Sequence, residues 1–141
     1  MKTKLPVRVL KIDEDGFHLA VTISINGKKA NVIVDTGASR TVFDKERIKR
    51  FVKTPSKKLK GKLSSGLGTN SMESHHLSIK KLGLGKININ DYSTVLLDLS
   101  HVNNSYRQLG IKEVEGVLGS DILRKFKAVI DYHKKCLRLT T

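Results

Sequence analysis

Asp35, Thr36, Gly37, Ala38 and Ser39 stand together directly after the apolar run Val32-Ile33-Val34. An Asp-Thr-Gly triplet alone is a weak signal, because turns often contain one. At the end of a buried-strand pattern it becomes a candidate for acid–base chemistry. One carboxylate supplies only one role. Two carboxylates ~3 Å apart cannot both ionise easily, so they share a proton and titrate as a coupled pair. Such a pair offers a base toward water and an acid toward the leaving group, at one pH and without a metal. The sequence holds a single such triplet. A second copy of the chain, related by a two-fold axis, is therefore the expected source of the second Asp35.

Other titratable residues have plainer readings. Asp121 falls in the first turn of a predicted helix, where it would offset the helix dipole. Asp98 and Asp131 read as turn or surface carboxylates. His75 and His76 are adjacent in a predicted strand and so point to opposite faces, which argues against a shared metal. His18, His101 and His133 are scattered and call for no special role. Cys136 is the one cysteine. It allows neither an intrachain disulfide nor a Cys-based metal site, and it reads as a small apolar strand residue.

The element that carries Asp35 is legible as a β-hairpin. Phe17, Leu19, Val21, Ile23 and Ile25 alternate with His18, Ala20, Thr22 and Ser24, the period of a half-buried strand. Asn26-Gly27 follows, the preferred pair for a two-residue type I′ turn. With that turn Ile25 faces Lys28, Ile23 faces Ala30, Val21 faces Val32, and Leu19 faces Val34. Turn and apolar pattern agree, which pins the register and puts Asp35 at the end of the second strand. A short helix is expected over Asp44 to Phe51, with Ile48 and Phe51 inward. Leu77 to Leu99 reads as strands with a turn near Gly85-Lys86, and His101 to Gly110 as a loop. Ser120 offers an N-cap for a helix carrying Ile122, Leu123 and Phe126. Val129-Ile130 and Leu137-Arg138-Leu139 read as a final hairpin, turning at His133 to Lys135. Together these describe one domain over residues 1–141.

Far downstream of Asp35 lies a second marked segment, Val117-Leu118-Gly119, preceded by Gly116 and followed by the helix and the last hairpin. The Asp-Thr-Gly loop paired with this apolar-apolar-Gly segment resembles the retropepsin-like aspartic proteases. The resemblance runs from about Phe17 to Leu139 and is strongest at Ile33 to Ser39 and Gly116 to Leu123. It implies a mostly all-β, closed, barrel-like fold with one or two short helices, active as a C2 homodimer. It implies an aspartic endopeptidase in which a pair of Asp35 carboxylates, one from each protomer, activates water to hydrolyse a peptide bond. The substrate would be a peptide or protein, and no cofactor or metal is implied. Val117, Leu118 and Gly119 would form the ψ-shaped crossing beside the catalytic loop. Gly37 would bring its N–H close to the carboxylate, Thr36 would bond across the dimer axis, and Ser39 would support the loop. A flap over the cleft would fall at Ser65 to Ser71, with Gly66, Leu67 and Gly68 near its tip.

Composition sets the alternatives. The chain has 141 residues and a net charge of +14. Lys45 to Lys62 carries nine Lys or Arg and one acid, and Arg124 to Arg138 carries six more basic residues. Such charge suits a solvated surface, or an acidic or nucleic-acid partner. No aromatic residues are interleaved as a single-strand stacking platform requires, and no zinc-finger or helix-turn-helix pattern occurs. The basic surface therefore reads first as solvation, with a nucleic-acid-associated domain as the alternative. A peptide-binding or dimerisation module with weak catalysis is another. No apolar run approaches the ~20 residues of a membrane span, and the start lacks the ~7–15-residue apolar stretch of a secretory signal. The expected location is cytoplasmic, as a whole chain or as a domain excised from a longer protein.

Overall fold

The computed structural model describes residues 1–53, 57–58 and 75–141. Eleven strands and two short α-helices follow one another along these residues. The strands are β1 Lys2–Pro6, β2 Arg8–Lys11, β3 Phe17–Ile25, β4 Lys28–Val34, β5 Val42–Asp44, β6 Lys57–Lys58, β7 His75–Leu84, β8 Ile87–Leu97, β9 Gly116–Leu118, β10 Val129–Asp131 and β11 Cys136–Thr140. The helices are α1 Ser100–Gln108 and α2 Ser120–Lys125, and a 3-10 turn spans Arg47–Arg50.

Strands β3, β4, β9, β5, β8 and β7 pair in that order, and β7 returns to β3, which closes a barrel. Closure removes the free edges of those strands. Strand β2 flanks β3, β6 flanks β7, and β1, β11 and β10 form a separate three-stranded sheet. In the β3–β4 hairpin Ile25 faces Lys28, Ile23 faces Ala30, Val21 faces Val32, and Leu19 faces Val34, as the turn requires. Asn26 and Gly27 both take the positive φ of a type I′ turn. Leu19, Val21, Ile23 and Ile25 are buried, whereas Phe17 ends the row half exposed. Val21, Val32, Phe43, Ile79, Leu82, Leu118 and Leu137 lie in one continuous core.

Several expectations need correction. The segment from His101 to Gly110 is mostly helix, not loop. Its polar sequence carries no apolar stripe, so periodicity gives no sign of it. Tertiary bonds hold it instead. Asn103 donates Nδ2–H to the Val114 carbonyl (3.0 Å) and accepts from the Val114 N–H (2.8 Å), imitating a strand partner. Tyr106, one helical turn on, is buried. The helix expected over Asp44 to Phe51 shrinks to the 3-10 turn, because Asp44 ends β5. The Asp44 carboxylate then accepts the N–H groups of Glu46 and Arg47, and that of Leu99 (2.8 Å) from across the fold. Ile48 still faces the core. The expected strand at Val95–Leu97 is the end of the long β8. In α2 the N-cap is Gly119, and Ser120 is the first helical residue.

Strand β1 has no counterpart in the sequence expectations. It pairs along its length with β11, Leu5 facing Leu137 and Thr3 facing Leu139. Its inward residues, Thr3 and Leu5, are buried, while Lys2, Lys4 and Pro6 are exposed. No helix among the described residues is long and apolar enough to cross a membrane.

Candidate active site

Strand β9 runs parallel to β4, with Ile33 facing Val117 and Val34 facing Leu118. On its other side it runs antiparallel to β5, with Val42 facing Val117. The loop carrying Asp35 joins β4 to β5, so its two strands straddle β9. The result is a ψ-shaped crossing with Gly116–Leu118 as its central strand, and Gly119 follows as the N-cap of α2. The Asp35 N–H extends the β4 ladder by one bond, to the Leu118 carbonyl at 3.0 Å.

The loop is then folded by its own backbone. Ala38 N–H bonds back to the Asp35 carbonyl (3.2 Å), and the Gly37 N–H donates to Asp35 Oδ1 (2.9 Å). A Cβ on Gly37 would stand 3.3 Å from that same oxygen. The bare glycine lets backbone and carboxylate meet without crowding. Asp35, Thr36, Gly37 and Ser39 are exposed and Ala38 is half-buried. The carboxylate thus faces solvent from a rigid base.

Gly119 packs directly against the backbone of the Asp35 loop. A Cβ there would lie 2.5 Å from the Arg40 carbonyl carbon, 2.6 Å from its oxygen and 2.9 Å from the Ala38 oxygen. These are backbone atoms, which cannot swing aside. The contact is sealed by Ser120 N–H donating to the Ala38 carbonyl (2.7 Å). The Ser120 hydroxyl adds a bond to the Ser39 carbonyl (3.3 Å). The described contact of Ser39 with α2 is made by its backbone oxygen.

Four polar residues, Thr41, Tyr92, Thr94 and Asp121, anchor this arrangement, and the sequence reading gave none of them a part in the site. Thr41, almost wholly buried, donates its hydroxyl to Asp121 Oδ1 (2.8 Å) and accepts the Gly119 N–H (2.9 Å). Its own N–H also reaches Asp121 Oδ1 (2.9 Å). The Tyr92 phenol donates to Asp121 Oδ2 at 2.5 Å. Thr94 donates its hydroxyl to the Thr41 carbonyl (3.0 Å). Asp121 is therefore a clamp joining α2, the Asp35 loop and β8, which goes beyond the dipole role expected of it. Burial, and then the Asp121 carboxylate, push the Tyr92 phenol well above its ordinary value. That keeps Tyr92 a proton donor. Thr41 carried one sequence clue: a hydroxyl residue at the head of the β-run Val42-Phe43 needs a partner if it is buried.

A second buried network fixes the strands behind the loop. Glu115 accepts the Asn31 N–H at 2.5 Å and the Arg47 guanidinium at 2.8 Å. Arg47 also pairs with Glu113, and Arg8 donates to Asn31 Oδ1 at 2.8 Å. Glu115 returns its own N–H to the Asn31 carbonyl (2.8 Å), which locks β4 against the approach to β9.

Among the described residues, no three His, Cys, Asp or Glu side chains gather as a cation would need. Asp98 and Asp131 cap local turns, accepting the N–H of Ser100 and Lys134. Those bonds hold both carboxyls below their ordinary range. The expected flap residues Gly66, Leu67 and Gly68 lie outside the described residues. The chain contains one loop of this kind, so the site as built from a single copy holds one Asp35.

The sequence profile of a family described as aspartyl protease matches residues 21–122. That span holds the Asp35 loop, β9 and the start of α2. No curated protein matches the chain. Among solved structures the chain is similar to a retropepsin-like aspartic protease from Rickettsia conorii, at 20% identity and a TM-score of 0.58, covering 99% of this chain and 94% of that one. It is also similar to the retroviral protease-like domain of Ddi1 from Leishmania major, at 16% identity and a TM-score of 0.55, covering 86% and 87%. At such identities the likeness is one of fold.

Proposed function

The chain belongs to the aspartyl protease family, and from that premise we propose that it is an aspartic endopeptidase whose site forms between two copies. A two-fold axis beside the exposed Asp35 loop brings the two carboxylates together. They share one proton because two adjacent charges repel too strongly to coexist. The ionised carboxylate takes a proton from a water as that water attacks the peptide carbonyl carbon. The protonated carboxyl gives its proton to the substrate side, and the amine leaves with the proton it needs. Thr36, exposed next to Asp35, bonds across the axis and holds the two loops together. An extended peptide or protein segment lies between the protomers, paired through its backbone as an added strand.

The observation that carries this reading is the construction of the Asp35 loop. The carboxylate is exposed, its Oδ1 is fixed by the Gly37 N–H, and the loop rests on Gly119 with no room for a side chain. A turn-capping Asp needs none of that support. The test is cleavage of a diverse peptide mixture over a range of pH, read by mass spectrometry beside Asp35→Asn. Cleavage by the parent alone, rising faster than linearly with dilute protein concentration, is expected. Peptide binding by both chains without cleavage by either would favour a binding module of the same fold.

A further inference from the structure

The Asn26-Gly27 turn lies at the far end of the β3–β4 hairpin from Asp35. Asp35 comes seven positions after Lys28, roughly 20 Å along an extended strand. Around this tip the fold assembles cations from three separate stretches of chain. Lys28 and Lys29 open β4, and Ile25 and Ser24 face them on β3. Asn26 donates its N–H to the Lys81 carbonyl (2.9 Å) and accepts the Lys81 N–H on its side chain (3.1 Å), which brings in β7. The Asn26 side chain also donates to the Phe51 carbonyl (3.0 Å), and Lys28 Nζ donates to the Arg50 carbonyl (3.2 Å). That brings in the end of the 3-10 turn and the residues after it, with Arg50 and Lys53. All five cations, Lys28, Lys29, Arg50, Lys53 and Lys81, are exposed. None pairs with a carboxylate among the described residues. Glu46, at the start of the 3-10 turn, is already paired with Lys49 at 3.0 Å.

The chemistry of the patch selects among anionic partners. A protein partner needs buried apolar or aromatic anchors at the centre of the contact. Among the described residues the large exposed apolar ones, Met1, Val9, Phe17, Leu109, Val129 and Tyr132, all lie on other elements or at the opposite end of β3. Phe51 packs inward against the core and offers no ring for stacking single-stranded bases. The tip is open, with nothing within 4 Å of where a Gly27 side chain would begin. Charge without anchors or stacking suits the phosphate backbone of a duplex, read without regard to sequence.

We propose that the basic tip of the β3–β4 hairpin, formed by Lys28, Lys29, Arg50, Lys53 and Lys81, binds the phosphodiester backbone of duplex nucleic acid. The surface lies at the opposite end of the β3–β4 hairpin from the Asp35 loop. The experiment titrates the full chain into a fluorescein-labelled DNA duplex of about thirty base pairs and reads anisotropy against salt. Five phosphate contacts give a slope of about −4.5 in log K against log salt, or about 500-fold weaker binding at 200 mM than at 50 mM. A Lys28→Gln/Lys29→Gln/Lys81→Gln variant should bring the slope to about −2. The same variant should keep parental peptide cleavage. A Lys2→Gln/Lys4→Gln/Lys134→Gln variant, altered in the terminal sheet and its turn, should keep the parental slope. Equal weakening by both triple variants would overturn the proposal in favour of diffuse charge. No duplex binding at 50 mM salt, or tighter binding to polyglutamate than to duplex, would also overturn it.

Discussion

Gly119→Ala puts one methyl group where the two arms of the ψ crossing meet. The added carbon would sit 2.5 Å from the Arg40 carbonyl carbon and 2.9 Å from the Ala38 oxygen. Carbon atoms rest at ~3.5 Å or more, so the Asp35 loop must retreat by about 1 Å. That retreat also stretches the Ser120 N–H bond to Ala38 and the Gly119 N–H bond to Thr41. Overpacking of this kind costs about 1–3 kcal/mol of stability. A shift of about 1 Å in a catalytic group costs about 100-fold in rate. The expected variant is folded, moderately destabilised in urea, and about 100-fold slower in peptide cleavage. Gly110→Ala is the matched comparison. Gly110 has a positive φ of 72° and nothing within 4 Å of an added Cβ. It should lose about 1 kcal/mol from backbone strain alone and keep its cleavage rate. Parental activity in Gly119→Ala, or equal activity loss in both variants, would refute the argument that Gly119 sets the position of Asp35.

Thr41→Val keeps the volume but removes the hydroxyl that bonds both Asp121 and the Gly119 N–H. It should cost about 2–3 kcal/mol in chemical denaturation, since one of these bonds is to a charged group and the other leaves a buried N–H unpaired. Arg47→Met strips the buried Glu115 of its cation and leaves the Asn31 N–H as its main partner. Loss of about 3 kcal/mol is expected, measured as a shift in urea midpoint at pH 7. Tyr106 lies buried against His18, and burial pushes its phenol up to about 12 from 10.0. The unfolded chain gives up that proton first, so the stability it contributes is intact below pH 10 and is lost as pH rises toward 12. Tyr106→Phe should show a shallower alkaline decline than the parent in stability measured from pH 9 to 12.

The hairpin that carries Asp35 was legible because two local signals coincide. The Asn26-Gly27 turn fixes which residues face each other, and the alternation of Leu19 to Ile25 agrees with it. The ψ segment was legible for a related reason: Gly116 and Gly119 bracket two apolar residues in a way few other structures need. Both glycines prove to stand where a Cβ would strike backbone or the Phe43 ring. The supports of the loop were hidden because their partners are distant in the chain. Thr41 meets Asp121 across 80 positions, and Tyr92 meets it across 29. No periodicity announces such contacts. Helix α1 was hidden because Asn103 and Tyr106 are held by tertiary bonds rather than by an apolar stripe. Strand β1 is short and half basic, and its pairing with β11 joins opposite ends of the described chain.

The decisive question is whether one site uses Asp35 from two chains. Increasing amounts of the Asp35→Asn chain should be mixed into a fixed amount of parent, and peptide cleavage followed after the copies have exchanged. Random pairing of equal amounts leaves about half of the parent chains in fully active pairs, so activity should fall to about half, and further with excess variant. Activity that ignores the added variant, or a parent that cleaves nothing in any mixture, would contradict a shared pair of Asp35 carboxylates.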